Sequence, residues 1–228
     1  MSRTVSRFAF AAGVVLAMAF TFSCAPPDDE GGGGGNGGSS TCSADFRTVT
    51  IDTQTWMAEN LNCNVGGSKC YGNDPANCAK YGRLYDWSTA MGLPSSCNEK
   101  SCTSQIQPKH KGICPSGWHI PSGAEWDALV TFAGGLYGYE TAGTKLKATS
   151  WDENGGSNGT DDYGFSALPG GFGFSDGSFE DVGICGQWLS SGESTSINTA
   201  IRYIRGKSNV YRGIGNKSNL FSVRCVQD

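Results

Sequence analysis

The chain has 228 residues, including 34 glycines, and its 17 basic and 21 acidic residues leave a formal charge of −4. This glycine share, about twice the average, excludes a helical bundle or a coiled coil, and without a basic excess nucleic acid is not an expected partner. Ten cysteines indicate an oxidising compartment or bound metal, whereas two histidines offer little for zinc catalysis or acid–base chemistry.

The first 23 residues have the pattern of a secretory signal peptide. Arg3 and Arg7 precede an apolar run over residues 8–22, which is as long as a signal-peptide core and short for a membrane span. Ser23 directly before Cys24 favours a bacterial lipoprotein that is cleaved before Cys24 and lipidated on its sulfur. The alternative is ordinary signal cleavage a few residues earlier, because the usual leucine of the lipoprotein motif is absent.

Residues 24–41 are then an acidic and glycine-rich tether that holds residues 42–228, a single domain, away from the bilayer. The ten residues 31–40 (GGGGGNGGSS) span on the order of 17 Å. We expect a cell-envelope protein, an outer-membrane lipoprotein whose membrane contact is the lipid on Cys24. The acidic residues after Cys24 resemble surface-export signals, so surface exposure and the periplasmic leaflet both stay open.

The strongest helix signal begins after Pro121. Ser122 and Glu125 have the spacing of a capping box, in which each side chain satisfies a backbone N–H of the first turn. Gly134 ends the helix, and its apolar stripe has helical spacing: Trp126, Leu129, Val130 and Ala133. A second, weaker pattern predicts a helix over residues 81–91.

Short strands are predicted on both sides of these helices. Residues 48–51 and 56–57 flank a turn, and later strands cover 187–189, 201–204 and 220–226. In the last strand, alternate residues share a face, with Phe221, Val223 and Cys225 on one side and Ser222 and Arg224 on the other. Two helices among short strands and long Gly/Asn/Ser loops predict an α+β fold.

Nine of the ten cysteines remain when Cys24 is set aside, so at least one has no partner within the domain. Exposure in the envelope favours disulfides over zinc. We expect two short bridges and one long bridge that ties the main helix region to the final strand: Cys70–Cys78, Cys97–Cys102 and Cys114–Cys225. One further bridge is open among three candidates: Cys42, Cys63 and Cys185.

Five blocks of sequence occur in a recognisable order: TQTWMAENL (53–61), KYGRLY (80–85), GICPSGWHIPS (112–122), NGTDDYGFSALPGG (158–171) and FSVRCV (221–226). Together they resemble the Fibrobacter succinogenes major paralogous domain, a family of secreted or lipid-anchored bacterial proteins with no settled activity. The resemblance implies the C-type-lectin-like fold shared with formylglycine-generating enzymes. That fold has small twisted antiparallel sheets, two helices and long irregular loops, and the Cys114–Cys225 bridge agrees with it. Three cysteines look additional to the family pattern: Cys42, Cys63 and Cys185.

We expect no enzymatic activity. A formylglycine-generating activity requires a closely spaced pair of reactive cysteines before the terminal strand, and no cysteine lies between Gly186 and Arg224. The sequence also lacks a hydrolase nucleophile elbow, a metalloprotease motif and a phosphate-binding loop.

A structural calcium ion is the one cofactor that the sequence suggests. Asp152, Asn154, Asp161 and Asp162 supply hard oxygen ligands within a glycine-rich segment. Their spacing differs from that of an EF-hand. The alternative is that Asp161 and Asp162 cap turns by accepting hydrogen bonds from backbone N–H groups.

Four aromatic residues in or near loops are candidates for ligand binding: Trp151, Phe172, Phe174 and Trp188. Core packing is the alternative for each, and His119 is expected to be a hydrogen-bonded core histidine. We expect a non-catalytic binding domain that presents its loops to a glycan or a surface protein. The alternative is a structural coat or assembly protein, which a free cysteine would favour through intermolecular bridging.

Overall fold

A computed structural model of the chain describes residue 42 and residues 45–135, 141–151, 158–206 and 208–228. These residues belong to one unit, Ser39–Asp228. The predicted signal peptide, Cys24 and the tether lie outside the described residues. Within the described ranges, no helix is both long enough and apolar enough to cross a membrane.

The described part contains strands and short α-helices in the following order: β1 (Thr48–Ile51), β2 (Gln54–Met57), α1 (Pro75–Tyr81), β3 (Leu84–Tyr85), α2 (Trp87–Met91), β4 (Trp118–His119), α3 (Gly123–Ala133), α4 (Ala142–Leu146), β5 (Gly170–Gly173), β6 (Phe179–Val182), β7 (Cys185–Glu193), β8 (Asn198–Arg205), β9 (Val210–Asn216), β10 (Phe221–Ser222) and β11 (Val226–Gln227). This content confirms the predicted α+β class.

The smaller of two sheets joins the beginning of the domain to its end. Its order is β1–β2–β11–β4, and all neighbours are antiparallel. Val226 pairs with both Trp56 and His119, so the last strand lies between elements that precede it by more than 100 residues. The predicted hairpin at the start of the domain is confirmed.

The larger sheet is mixed and is centred on β7. On one edge, β8 is antiparallel to β7, and β9 is antiparallel to β8. On the other edge, β5 and β10 run parallel to β7, and β6 and β3 extend them. Successive residues of β7 face different cores: Leu189 packs with the disulfide-rich cluster, whereas Trp188 packs with the cluster that contains α3.

Helix α3 forms as predicted. The Ser122 hydroxyl accepts a hydrogen bond from the Glu125 N–H, and the Glu125 carboxylate accepts one from the Ser122 N–H. The predicted apolar stripe is buried, and Gly134 is the C-cap with a φ of 143°. Local signals suffice to predict α3 because the N-terminal cap, the apolar stripe and the C-terminal glycine all indicate the same helix.

The prediction of one helix over residues 81–91 is wrong. Helix α1 ends at Gly82, whose φ of 77° favours glycine, and a Cβ there would lie 2.8 Å from the Asn60 Cβ. Leu84 then pairs with β10, and α2 begins only after Asp86, whose side chain caps it. Pairing with a distant strand therefore replaces helix in the middle of the segment.

The prediction of one strand over residues 220–226 is also wrong. Strand β10 belongs to the larger sheet and β11 to the smaller, and residues 223–225 carry the chain from one sheet to the other. Ser222 and Arg224 are as buried as their apolar neighbours. The alternating pattern therefore does not mark a polar outer face.

The three expected disulfides are confirmed: Cys70–Cys78, Cys97–Cys102 and Cys114–Cys225. The open choice is settled by a Cys42–Cys63 bridge, which leaves Cys185 as a buried thiol. Burial, together with the nearby carboxylate of Asp181, raises the pKa of the Cys185 thiol to about 12.

Loop length predicts how much each buried bridge stabilises the fold. The Cys114–Cys225 bridge closes 111 residues and the Cys97–Cys102 bridge closes 5. Replacing both cysteines of a bridge by alanine should lower the free energy of unfolding by about 5 kcal/mol for the long loop and about 2 kcal/mol for the short one. Urea denaturation of the two double variants measures this difference, and equal losses would contradict it.

Candidate functional site

Two of the four predicted ligand-binding aromatics are core residues. Trp151 and Trp188 are each 1% exposed, so neither ring face can meet a ligand, and the prediction is wrong for both. The Trp188 indole N–H donates to Asn60 Oδ1 at 2.8 Å, and its ring packs beside Trp126 of α3. Trp151 packs in the same cluster.

The other two predicted aromatics lie together and are half-buried. The rings of Phe172 and Phe174 meet edge to face with centroids 4.9 Å apart, and Phe172 stacks on the buried Phe221. Phe174 follows β5 at the start of a tight hairpin, where its N–H donates to the carbonyl of Ser178. The hairpin thus places the Phe174 ring beside a cavity instead of in the core.

That cavity, which we call the Phe174 groove, has a volume of about 280 Å³. Its lining combines apolar side chains, Phe174, Phe179 and Leu220, with polar ones that include Lys69, Asp86 and Asn98. The lining residues come from five separate parts of the chain: 67–73, 86, 98, 174–179 and 218–220. Sequence reasoning found Phe174 but missed the others, because no local pattern brings these segments together.

The loop before α1 supplies one side of the groove. The backbone of Lys69 exchanges two hydrogen bonds with Leu84 of β3, and the Tyr71 ring packs against Phe179 at 5.2 Å. The Cys70–Cys78 bridge closes this loop. Gly67 has a φ of 87°, and a Cβ there would lie 3.0 Å from Thr89 Oγ1, so glycine keeps this side open.

Asp86 and Asn98 are fixed by a dense set of hydrogen bonds. Asp86 Oδ1 accepts from the Thr89 N–H, the Ser88 hydroxyl and Asn98 Nδ2, and Asp86 Oδ2 accepts from the Thr89 hydroxyl. Burial by itself raises the pKa of Asp86, but the hydrogen bonds from Asn98, Thr89 and Ser88 outweigh it and hold the pKa below its ordinary value. The groove therefore contains an ionised, immobile carboxylate.

The calcium candidates are only partly described. Asp152 and Asn154 lie outside the described residues, and Asp162 is exposed. The Asp161 carboxylate accepts hydrogen bonds from the Ser166 N–H at 2.7 Å and from the Ser166 hydroxyl at 2.6 Å. Asp161 therefore has the turn-capping role that the sequence offered as the alternative to calcium binding. Across the described ranges, no group of three or more His, Cys, Asp or Glu side chains is placed to hold a metal ion.

A buried guanidinium at the centre of the domain was not predicted. Arg224 is fully buried; its Nε donates to Asn60 Oδ1 at 2.9 Å, and its terminal nitrogens donate to the carbonyls of Met57, Phe165 and Ser166. Asn60 also donates to the Tyr81 carbonyl. Burial lowers the pKa of Arg224 from its ordinary value.

Three of the five sequence blocks that carry the family resemblance meet at this guanidinium, and Asn60 links a fourth to it through Tyr81. The model of the Fibrobacter succinogenes major domain matches residues 49–227. The chain belongs to this family. No characterised protein and no solved structure matches the chain.

The family domain contains a second buried cation at Lys217. Its ammonium donates to Glu193 Oε1 at 2.6 Å and to the carbonyls of Cys97, Ser196 and Lys100, and it lies over the Trp87 ring. The oxygens around it form the kind of cluster that otherwise binds a hard metal cation. Lys217 thereby joins the Cys97–Cys102 loop to the connection between β7 and β8.

His119 is the hydrogen-bonded core histidine that the sequence predicted. It is 1% exposed, and its ring nitrogens face Asp228 Oδ1 at 2.7 Å and Glu125 Oε1 at 2.8 Å. Glu125 also accepts from the Ser122 N–H and hydroxyl. Burial by itself raises the pKa of Glu125, but the hydrogen bonds from Ser122 and His119 lower it further than burial raises it.

The Lys217–Glu193 pair predicts an acid-sensitive fold. Burial opposes ionisation of Glu193, but hydrogen bonds from Lys217, Ser101 and Cys102 lower its pKa from 4.5 to about 2. The ionised Glu193 carboxylate therefore adds about 3 kcal/mol to the free energy of unfolding. This contribution is present above pH 4.5 and is lost as the pH falls towards 2. Glu193→Gln should therefore be less stable than wild type at pH 7, and this deficit should shrink by about 2 kcal/mol at pH 3.

Urea unfolding at the two pH values measures the effect. Glu180→Gln, at an exposed acidic position of β6, is the matched control and should follow the wild type. A Glu193→Gln deficit that is the same at pH 7 and pH 3 would show that the Glu193 carboxylate does not stabilise the fold in this way.

Proposed function

We propose that the domain is a non-catalytic binding domain of the cell envelope, anchored through a lipid on Cys24, and that it holds a glycan in the Phe174 groove. One observation carries this proposal. All the residues that line the groove lie between the sequence blocks of the family resemblance, and none lies within a block. The blocks build the core, so the segments between them can form a binding site without disturbing it.

The chemistry of the groove fits a sugar. A sugar ring has an apolar face that packs on aromatic side chains and an edge of hydroxyl groups that requires hydrogen-bonding partners. Phe174 and Phe179 supply the aromatic surface, and Asp86, Asn98 and Lys69 supply polar groups. Binding sites for small ligands combine apolar walls with a few fixed polar groups in this way.

The C-type-lectin-like fold is part of the proposal. In support, the Cys114–Cys225 bridge ties the region before α3 to the terminal segment, and long connections separate the short strands. Among the described cysteines, Cys185 is the one that forms no disulfide. Its thiol is buried, and its pKa is raised to about 12. These properties support a binding role over thiol chemistry of the formylglycine-generating type.

The cysteine pairing also favours a binding domain over a covalently linked coat. Cys42 is bridged to Cys63, and Cys185 is 2% exposed, so these three cysteines offer no accessible thiol for a bridge between molecules. An assembly protein would have to rely on non-covalent contacts.

Retention of the full chain on polysaccharides tests the proposal. The purified lipoprotein in mild detergent should be retained saturably on an insoluble plant-wall polysaccharide. Phe174→Ala should weaken retention at least tenfold, because it removes an aromatic face of the groove.

Phe132→Ala is the matched control. Phe132 is a half-exposed phenylalanine of α3 that packs against Tyr163 and does not line the groove, so this variant should bind like the wild type. Equal retention of Phe174→Ala and wild type, with near-ultraviolet circular dichroism unchanged, would contradict a role for the groove. An absence of retention on any polysaccharide would overturn glycan binding itself.

A further inference from the structure

Asp86 and Asn98 have hydrogen-bonding capacity that the domain does not use. Asp86 Oδ2 accepts one hydrogen bond, from the Thr89 hydroxyl at 2.6 Å, and a carboxylate oxygen can accept a second. Asn98 Oδ1 accepts from the Ser88 N–H, and Asn98 Nδ2 donates one of its two hydrogens to Asp86 Oδ1 at 2.8 Å. Among the described residues, one Asn98 N–H and one acceptor position on each side chain have no partner.

These unused positions are adjacent and rigid. The Asn98–Asp86 hydrogen bond places the two side chains side by side, and both line the Phe174 groove. Four further hydrogen bonds to Asp86 and Asn98, all from the α2 residues Ser88 and Thr89, prevent either side chain from turning away. A preformed donor beside a preformed acceptor costs little ordering entropy when a ligand binds.

Gly67 leaves this pair accessible. A Cβ at residue 67 would lie 3.6 Å from Asp86 Oδ2 and 3.0 Å from Thr89 Oγ1, so any other side chain would reach over the carboxylate. The φ of 87° also disfavours a side chain at this position. The loop therefore approaches the pair without covering it.

Asp86 offers a free acceptor position, and Asn98 beside it offers a free donor and a free acceptor. Together they match two neighbouring hydroxyl groups of a ligand. One hydroxyl can donate to Asp86 Oδ2 while the next accepts from Asn98 Nδ2 and donates in turn. A carboxylated sugar fits less well, because its charge would lie near the ionised Asp86, and only Lys69 among the lining residues would offset that repulsion. The unused positions therefore favour an uncharged ligand.

We infer that the Phe174 groove selects a neutral sugar unit with two adjacent free hydroxyls, and that Asp86 and Asn98 are the residues that determine this specificity. The inference rests on the proposed glycan binding. In a linear glucose polymer the linkage decides whether such a pair exists. Internal units of a β-1,4-glucan carry adjacent hydroxyls at carbons 2 and 3, whereas internal units of a β-1,3-glucan have none.

Binding of the wild-type chain to these two insoluble glucans tests the inference without altering the protein. We expect at least tenfold tighter retention on β-1,4-glucan than on β-1,3-glucan. Oxidation of the β-1,4-glucan with periodate, which cleaves the bond between carbons with adjacent hydroxyls, followed by reduction with borohydride, should remove the preference.

A protein variant provides the complementary measurement. Asp86→Asn keeps a residue that caps α2 well but replaces the free acceptor by an amide. It should lose the preference for β-1,4-glucan, whereas Asn62→Asp, at an exposed position outside the groove, should keep it. Circular dichroism and urea unfolding report whether each variant is folded, and the periodate experiment decides the question if Asp86→Asn is not.

The outcomes separate this inference from the proposed function. Equal retention on both glucans that still depends on Phe174 would overturn the selection of adjacent hydroxyls and leave glycan binding in place. Retention that survives periodate treatment would overturn it as well. Failure to bind either glucan, or any other polysaccharide, would overturn both.

Discussion

The fold depends on the buried guanidinium of Arg224, which has no carboxylate partner among the described residues. Arg224 is surrounded by neutral acceptors: the carbonyls of Met57, Phe165 and Ser166 and the amide oxygen of Asn60. Taking a charge out of water costs several kcal/mol, and only a complete set of hydrogen bonds offsets that cost. The first hairpin, the loop at residues 161–166 and the terminal segment must therefore come together for the domain to be stable.

This constraint explains the division of the chain between scaffold and site. Asn60 accepts from Trp188 and Arg224 and donates to Tyr81, so three of the blocks that carry the family resemblance are bound to one another in the core. Asp161, a candidate calcium ligand from the sequence, instead shapes the turn that presents the Ser166 carbonyl to Arg224. The segments that line the Phe174 groove lie outside this network, and this separation makes the groove the place where a ligand can be bound.

Local signals in the sequence predict α3, the first hairpin and the two short disulfides, because a cap, a period or a short spacing determines each of them. The long Cys114–Cys225 bridge closes 111 residues, and its prediction depended instead on tying the main helix region to the final strand. The segment 81–91 was mispredicted because pairing of Leu84 with β10 overrides its helical pattern. Trp151 and Trp188 were assigned to a ligand because their burial depends on α3, which packs on them from elsewhere in the chain. Buried cations leave no local signal at all, since their acceptors are carbonyls of distant residues, and the same is true of a groove built from separate loops.

The free energy of unfolding of Arg224→Lys, measured by urea denaturation against wild type, tests the central role of the guanidinium most directly. A lysine keeps the charge, but its single ammonium cannot reach acceptors on three sides of the planar guanidinium. Arg205→Lys, at an exposed arginine paired with Asp181, controls for the substitution itself. The account predicts a loss of about 3–5 kcal/mol for Arg224→Lys and less than about 1 kcal/mol for Arg205→Lys. Losses below about 1 kcal/mol for both variants would contradict it.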